Sequence, residues 1–199
     1  MQRLSKIPRT VCGLIEPAVR SVADRLYILT GGRHGSRKHR PNIEKYFETG
    51  IVTAIYEHLL MSPTISHLEV RHENPYTKKT RPEQIDLWIR HPPPNAGPAT
   101  AIECGDFTPG KLKDDASKLR RLNKSGTNWF LAFFREQPTS KKPNPSSLNP
   151  YNALIQCRGR KGSLKGLRIT IDRRMTKMFR ISLPEQDDLI FGFSLVRVK

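Results

Sequence analysis

The segments EQIDLWIR (83–90) and TAIECGDF (100–107) decide the fold, because each is a short apolar run that carries an acid in its middle. Successive side chains of a strand point to opposite faces, so Asp86 projects away from its isoleucine and leucine neighbours. Glu103 has a similar position in the second run. The connection HPPPNAGPA (91–99) is too rich in Pro and Gly for regular structure. We expect two adjacent strands that bring the two carboxylates together.

The elements around these strands follow from hydrophobic periodicity. Asn42 is suited to cap a helix that runs to about residue 60, and a strand is predicted at 67–73. A second amphipathic helix is predicted at 111–124, and the fully apolar run at 128–134 is typical of a buried central strand. The middle of the chain therefore predicts an α/β domain with a mixed sheet flanked by helices.

The ends of the chain are less regular. An apolar stripe predicts a helix over 12–30, and alternation beyond residue 150 predicts strands that either extend the sheet or form a small subdomain. The predicted organisation is one domain with four parts: an N-terminal helix and basic arm (1–41), a core (42–136), a Pro/Ser-rich loop (137–150) and a basic, β-rich extension of the same domain (151–199).

The charge balance predicts a polyanionic partner. Lys and Arg number 35 against 18 Asp and Glu, a formal net charge of +17. Such an excess destabilises a compact chain by self-repulsion unless a polyanion neutralises it, and nucleic acid is the usual one. The alternative is a basic protein that has no polyanionic partner. Candidate phosphate contacts, mostly in two basic loops, are Arg33, Arg37, Lys38, Arg40, Lys113, Arg158, Arg160 and Lys161.

Cysteine usage and hydropathy bear on the compartment. Cys12, Cys104 and Cys157 lie far apart and form no Cys-x-x-Cys pair, so a structural zinc site is not expected. The basic start lacks the apolar core of a secretory signal, and no apolar stretch approaches the roughly 20 residues that span a bilayer. We expect a cytoplasmic protein without a membrane partner, in a prokaryote or phage.

The paired acids predict a metal site. Carboxylates at close range repel each other unless a cation lies between them. Mg²⁺ suits such a pair, with Mn²⁺ as an alternative, because it binds one or two carboxylates and keeps water for a phosphate ligand. The bound ion would polarise a phosphodiester and lower the pKa of the attacking water. The structural alternative is that Asp86 and Glu103 form ion pairs, for example with Arg90 or Lys118.

The first helix of the core contributes further acids. Glu44 and Glu48 fall on the same face as Ile51, Ile55 and Leu59, at steps of three and four residues. Acids in a first helical turn are commonly there for the helix dipole alone. Their alignment with the apolar stripe points them instead towards the protein body.

The order of a helix with Glu, a strand, a strand with Asp86, a strand with Glu103, a helix and a strand resembles the PD-(D/E)XK nuclease superfamily over residues 42–134. The resemblance implies a restriction-endonuclease-like mixed β-sheet flanked by α-helices, here with basic loops and a β-rich C-terminal extension. It also implies that Asp86 and Glu103 hold the metal, with Glu48, or Glu44, as a supporting acid.

One position departs from that pattern. Gly105 stands where the superfamily usually has lysine. Lys118, on the following helix, is the preferred substitute, and Lys111 and Lys113 are alternatives. Such a cation would orient the nucleophile or stabilise the pentavalent phosphate. Nearby acids have other expected roles: Asp106 as a strand-end residue, and Asp114 and Asp115 as helix-start acids.

The function predicted from the sequence is a magnesium-dependent endonuclease that hydrolyses DNA phosphodiesters. Nuclease relatives that cut both strands often dimerise, so a homodimer or a larger protein assembly is also expected. One alternative is a non-catalytic DNA-binding or assembly protein on the same fold, in which Gly105 marks decay of the site. Another is a basic RNA- or ribosome-associated protein, which would prefer RNA to DNA.

Overall fold

The computed structural model describes residues 6–29, 40–75, 83–135, 149–159, 162–181 and 189–199, without the side chains of 25–29, 40–47, 74–75, 135 and 189. Four helices and six strands lie in this part of the chain. The helices are α1 (Ile7–Leu29), α2 (Arg40–Met61), α3 (Pro109–Leu122) and α4 (Pro150–Arg158). The strands are β1 (Glu69–Pro75), β2 (Gln84–Arg90), β3 (Thr100–Asp106), β4 (Thr127–Arg135), β5 (Ile169–Ile181) and β6 (Leu189–Val198).

The six strands form one mixed sheet in the order β1-β2-β3-β4-β6-β5. Only the β3–β4 pair is parallel, and α3 makes the crossover between these two strands. The other four pairs are antiparallel. Because β6 pairs with β4 and β5 with β6, the C-terminal strands belong to the same sheet as the central ones. The α/β class with a mixed sheet flanked by helices is therefore confirmed.

Two hydrophobic clusters show that the sheet is covered on both faces. One cluster joins α1 and α2 to side chains such as Leu87, Ile102 and Leu131. The other joins α3 and α4 to side chains such as Ala101 and Phe130. The domain therefore has three layers, with the sheet between two pairs of helices.

Helix α3 is fixed at both ends and along one side. The Thr108 side chain accepts a hydrogen bond from the backbone N–H of Lys111 at 3.0 Å, and Pro109 occupies the first turn, where its missing N–H costs nothing. Leu112, Ala116 and Leu119 are buried against the sheet. These contacts determine which side chains of α3 face β3.

Several element boundaries differ from those predicted. Helix α1 begins at Ile7 rather than residue 12, and Pro17 lies within it. Helix α4 was not predicted; only Pro150 and Leu154 of it are buried, so its periodic signal is weak. The strands predicted beyond residue 150 include the long strand β5, whose alternation is broken by an irregularity between Ile171 and Thr176. Among the described residues, none of the helices is long and apolar enough to cross a membrane.

Candidate active site

The two acids of the central strands lie next to each other in the sheet. Antiparallel strands β2 and β3 pair Leu87 with Ile102, so Asp86 and Glu103 follow by one residue and share a face. Regular pairing stops at this point, and Asp86 Oδ2 instead accepts a hydrogen bond from the backbone N–H of Cys104 at 2.7 Å. The strand ends thereby position two carboxylates beneath α3.

Lys118 of α3 reaches the more deeply buried of these acids. Its Nζ lies 2.8 Å from Glu103 Oε1, and the side chain of Glu103 is only 4% exposed. Burial raises the pKa of Glu103 to about 8; repulsion from Asp86 adds to this, and Lys118 opposes it. Burial likewise raises the pKa of Asp86, although the Cys104 N–H stabilises its charged form. Both acids are thus held in surroundings that disfavour two negative charges.

Lys111, in the first turn of α3, contacts two further carboxylates. Its Nζ lies 3.6 Å from Glu48 Oε1 and 3.7 Å from Asp115 Oδ2. Glu48 comes from α2, and its Oε2 accepts a hydrogen bond from the backbone N–H of Asp106 at 3.2 Å. Burial lowers the pKa of Lys111, but Asp115, Glu48 and Asp86 outweigh burial and hold it above its ordinary value. The ammonium group therefore stays charged in this setting.

We call the following six side chains the acid–lysine cluster: Glu48, Asp86, Glu103, Lys111, Asp115 and Lys118. Its four carboxylates face two ammonium groups, so the fully ionised cluster has two negative charges in excess. Burial raises the pKa of Asp115 as well. Lys118 Nζ lies 2.8 Å from Glu103 Oε1, and Lys111 Nζ lies 3.7 Å from Asp115 Oδ2, so each of these buried oxygens has a cation beside it. A divalent cation would match the remaining excess of negative charge.

Gly105 of β3 lies directly beside the side chain of Lys111. Its φ of +156° is one that residues with a side chain rarely adopt. A Cβ added there would collide with Lys111 Cε and lie 2.7 Å from Lys111 Nζ and 3.0 Å from Glu48 Oε1. The ammonium of Lys111 thus occupies the space into which a side chain at position 105 would project.

The donor set suits a hard cation, although its members do not converge on one point. In the part of the chain that the structure describes, no three His, Cys, Asp or Glu side chains are grouped as ligands of a metal ion. Mg²⁺ does not need three, because it usually retains several waters and binds one or two carboxylates. Asp86 and Glu103 satisfy that requirement, and their all-oxygen chemistry favours Mg²⁺ or Mn²⁺ over zinc.

The sequence-predicted residues have different outcomes. Asp86, Glu103, Glu48 and Lys118 all lie in the acid–lysine cluster. Lys113 is exposed on α3, and Arg158 is exposed at the end of α4. Five of the predicted nucleic-acid contacts lie outside the described residues: Arg33, Arg37, Lys38, Arg160 and Lys161. The side chains of Arg40 and Glu44 also lie outside the described part of the chain. Asp106 ends β3 as predicted.

Two members of the cluster were underestimated from the sequence. Lys111 was predicted only as an alternative to Lys118. The expected role of Asp114 and Asp115 as helix-start acids is wrong, because α3 begins at Pro109 and has no acid in its first turn; Asp115 instead contacts Lys111 inside the cluster. The signal was present in the spacing: residues 111, 115 and 118 are four and three apart, so they share one face of a helix. That face adjoins the buried stripe that packs on the sheet.

Comparisons of the chain with protein-family models, with curated proteins and with solved structures find no match. What the acid–lysine cluster can bind is therefore argued from the charge, burial and geometry of its own side chains.

Proposed function

We propose that the chain is a magnesium-dependent DNA endonuclease of the PD-(D/E)XK type. The observation that carries the proposal is the pairing of a buried carboxylate, Glu103, with a partly buried one, Asp86, at adjacent strand positions beside two lysines. Burying ionisable groups without a partner is costly, so such an arrangement is more common at functional sites than elsewhere. The mixed sheet with helices on both faces is compatible with a restriction-endonuclease-like fold.

In this proposal Asp86 and Glu103 hold Mg²⁺, or Mn²⁺, and Glu48 supports the site from α2. The bound ion would polarise the scissile phosphodiester and lower the pKa of a coordinated water. The protein's own part is to fix the two carboxylates. The backbone N–H of Cys104 orients Asp86, and the N–H of Asp106 orients Glu48.

The two lysines have separate roles. Lys118 neutralises Glu103 at 2.8 Å and is 25% exposed, so it serves mainly to position and charge-balance that ligand. Lys111 takes the place of the lysine that the superfamily usually carries at position 105, because its ammonium fills the space beside Gly105. At 37% exposure Lys111 is also accessible to a phosphate oxygen or an attacking water. It is the cation that we assign to transition-state stabilisation.

The choice of DNA over RNA and the proposed dimer rest on the resemblance, and the proposed cytoplasmic location rests on the cysteine usage. The formal charge of +17 supports a nucleic-acid substrate, since each phosphate neutralised by Lys or Arg releases condensed counterions. A fold-level likeness to nucleases does not distinguish DNA from RNA. Competition between duplex DNA and structured RNA of equal length would make that choice.

A second candidate function is a non-catalytic DNA-binding or assembly protein on the same fold. One observation favours it: Lys118 contacts Glu103 and Lys111 contacts Glu48, so two acids already have cationic partners without a metal ion. In that case the cluster would serve stability. Binding to DNA would then be salt-sensitive, independent of magnesium and unaccompanied by nicking.

The deciding experiment incubates supercoiled plasmid with the protein, with and without Mg²⁺. We expect nicking or linearisation only with the metal, and loss of cleavage in Asp86→Asn and Glu103→Gln. Asp114→Asn is the matched control, because Asp114 is an exposed acid on the same helix as Lys111. This substitution removes one negative charge, as each of the other two does. Absence of cleavage by the unaltered protein, with retention of plasmid, would select the non-catalytic function.

A further inference from the structure

A cleft lined by cations lies at the opposite end of the central strands from the acid–lysine cluster. It has a volume of about 550 Å³ and is formed where α3 ends, β4 begins and β6 ends. Its lining contains four basic residues and no acid: Arg120, Lys124, Arg197 and Lys199, with Gly126, Thr127, Asn128 and Val198. We call this feature the basic cleft.

Acidic side chains do not balance the charge of the basic cleft. In the described ranges of the chain, no Asp or Glu side chain lies within ion-pair distance of its four basic residues. Arg120 donates hydrogen bonds to an oxygen of Lys199 at 2.5 Å and to the backbone carbonyl of Arg168 at 3.0 Å, and these contacts fix it in place. The other three basic side chains, Lys124, Arg197 and Lys199, are exposed and can contact an anion.

Several cations elsewhere on the surface have acidic partners. On α1 and β5, Glu16 pairs with both Arg20 and Lys177, and Asp172 pairs with Arg174. The dipole of α3 accounts for part of the positive charge of the cleft, because the C-terminal end of a helix attracts cations such as Arg120 and Lys124. It does not account for Arg197 and Lys199, which come from β6 and the residue after it.

We propose that the basic cleft binds the sugar–phosphate backbone of the nucleic-acid substrate at a distance from the cutting site. This inference rests on the proposed function for the substrate class, although the binding itself does not require cleavage. Helix α3 joins the two regions, with Lys111 near its start and Arg120 near its end. At 1.5 Å per residue these two positions are about 14 Å apart along the helix axis, and Lys124 extends the span further.

That span sets a length for the substrate. One strand of B-DNA advances roughly 3.4 Å per phosphate along the axis, so a strand lying along α3 passes about four to six phosphates between the two regions. The cleft therefore contributes to binding only when the duplex extends at least that far from the cutting point. Substrates that end closer to the scissile bond do not reach it.

The test measures binding of a fluorescent 24-base-pair DNA duplex in EDTA, over a range of salt concentrations. The slope of log K against log salt is negative, and we expect the double variant Lys124→Ala/Arg197→Ala to reduce its magnitude by about 2 relative to the unaltered protein. Each lost phosphate contact removes about 0.9 from that magnitude. The charge-matched control is Lys6→Ala/Arg173→Ala, which removes one exposed cation just before α1 and one on β5. It should leave the slope within about 0.5 of the original.

Equal slopes for the two double variants overturn the inference, whatever the plasmid assay shows. A reduced slope for the cleft variant alone supports it even if the unaltered protein does not nick DNA, so the two proposals can fail separately. Preferential loss of RNA binding in the cleft variant, without loss of DNA binding, counts against DNA as the occupant.

Discussion

The acid–lysine cluster and the exposed ion pairs of α1 and β5 are built from the same residue types, yet their acids titrate in opposite directions. Hydrogen bonds from Lys177 and Arg20 lower the pKa of Glu16, and those from Arg174 lower the pKa of Asp172. Burial raises the pKa of Glu103 to about 8 despite Lys118 at 2.8 Å. A basic partner therefore lowers the pKa of an exposed carboxylate but only partly offsets the effect of burial on Glu103, so the buried set is where a metal ion has most to contribute.

The largest expected effect comes from removing a carboxylate of the cluster. Glu103→Gln should reduce Mg²⁺-dependent plasmid cleavage at least 100-fold, because one of two proposed metal ligands is lost. Glu16→Gln, which removes an acid with two basic partners at the surface, should change cleavage less than twofold. Initial rates of nicking measure both. A comparable loss in the two variants would erase the functional distinction between the regions.

The next largest effect on cleavage is expected from Gly105→Lys, for which the two accounts of Gly105 predict opposite changes. If Gly105 marks a decayed site, Gly105→Lys should create or increase cleavage. In our account it abolishes cleavage, because the new side chain would occupy the space of Lys111 and force an unfavourable backbone conformation that costs on the order of 1–3 kcal/mol. Gly110→Ala in α3 is a matched control, since a Cβ there meets nothing closer than 4.0 Å. Increased cleavage by Gly105→Lys would contradict the assignment of Lys111.

The two lysines should also be separable. Lys111→Ala should lower the cleavage rate at saturating Mg²⁺, because the proposed transition-state cation is lost while Asp86 and Glu103 remain. Lys118→Ala should instead weaken Mg²⁺ binding or destabilise the fold, since it leaves buried Glu103 without its nearest cation. Magnesium titrations of cleavage rate distinguish the two outcomes. The reverse pattern would exchange the roles that we give to these residues.

The pH dependence of stability has opposite signs in the two regions. The folded-state pKa of Glu103 is raised from 4.5 to about 8, so its contribution to stability is fully present below pH 4.5 and is lost as the pH rises through 8. Mg²⁺ should restore this loss, so the increase in melting temperature on adding Mg²⁺ should be larger at pH 9 than at pH 6. In Glu103→Gln the metal-dependent increase should disappear at both pH values. An increase that is independent of pH would contradict the burial argument.

The smallest effect is expected at the surface. The pKa of Glu16 is lowered, so its contribution to stability is present above pH 4.5 and is lost as the pH falls through the folded-state value. Because its partners Arg20 and Lys177 are largely exposed, Glu16→Gln should cost less than about 1 kcal/mol at neutral pH. Urea denaturation at pH 7 and pH 3 measures the difference. A larger loss would show that exposed pairs contribute more than the comparison allows.

The parts of the site that could be predicted from the sequence are those in which local pattern determines burial. Asp86 and Glu103 interrupt apolar strands, so both their burial and their shared face follow from alternation and one antiparallel pairing. The place of Lys111 in the cluster could not be predicted from local pattern. Its position depends on where Thr108 and Pro109 start α3 and on the open space beside Gly105, which is a tertiary property.

The elements of the fold also differ in how well local pattern predicts them. The central strands and α3 have a strong periodic pattern and were predicted within a few residues. Helix α4 buries only Pro150 and Leu154, and β5 is an edge strand with much of its surface exposed, so neither has a clear periodicity. Elements at the margin of a sheet are determined by what they pack against, which the local sequence does not specify.

The most direct test of the central claim is a measurement of divalent-ion binding without a nucleic acid. Electron paramagnetic resonance of Mn²⁺, or calorimetry with Mg²⁺, should give one saturable site in the unaltered protein at pH 8, and that site should be lost in both Asp86→Asn and Glu103→Gln. Asp114→Asn should bind the ion as the unaltered protein does. Absence of a saturable site, or an affinity unchanged by removal of Asp86 and Glu103, would contradict the account.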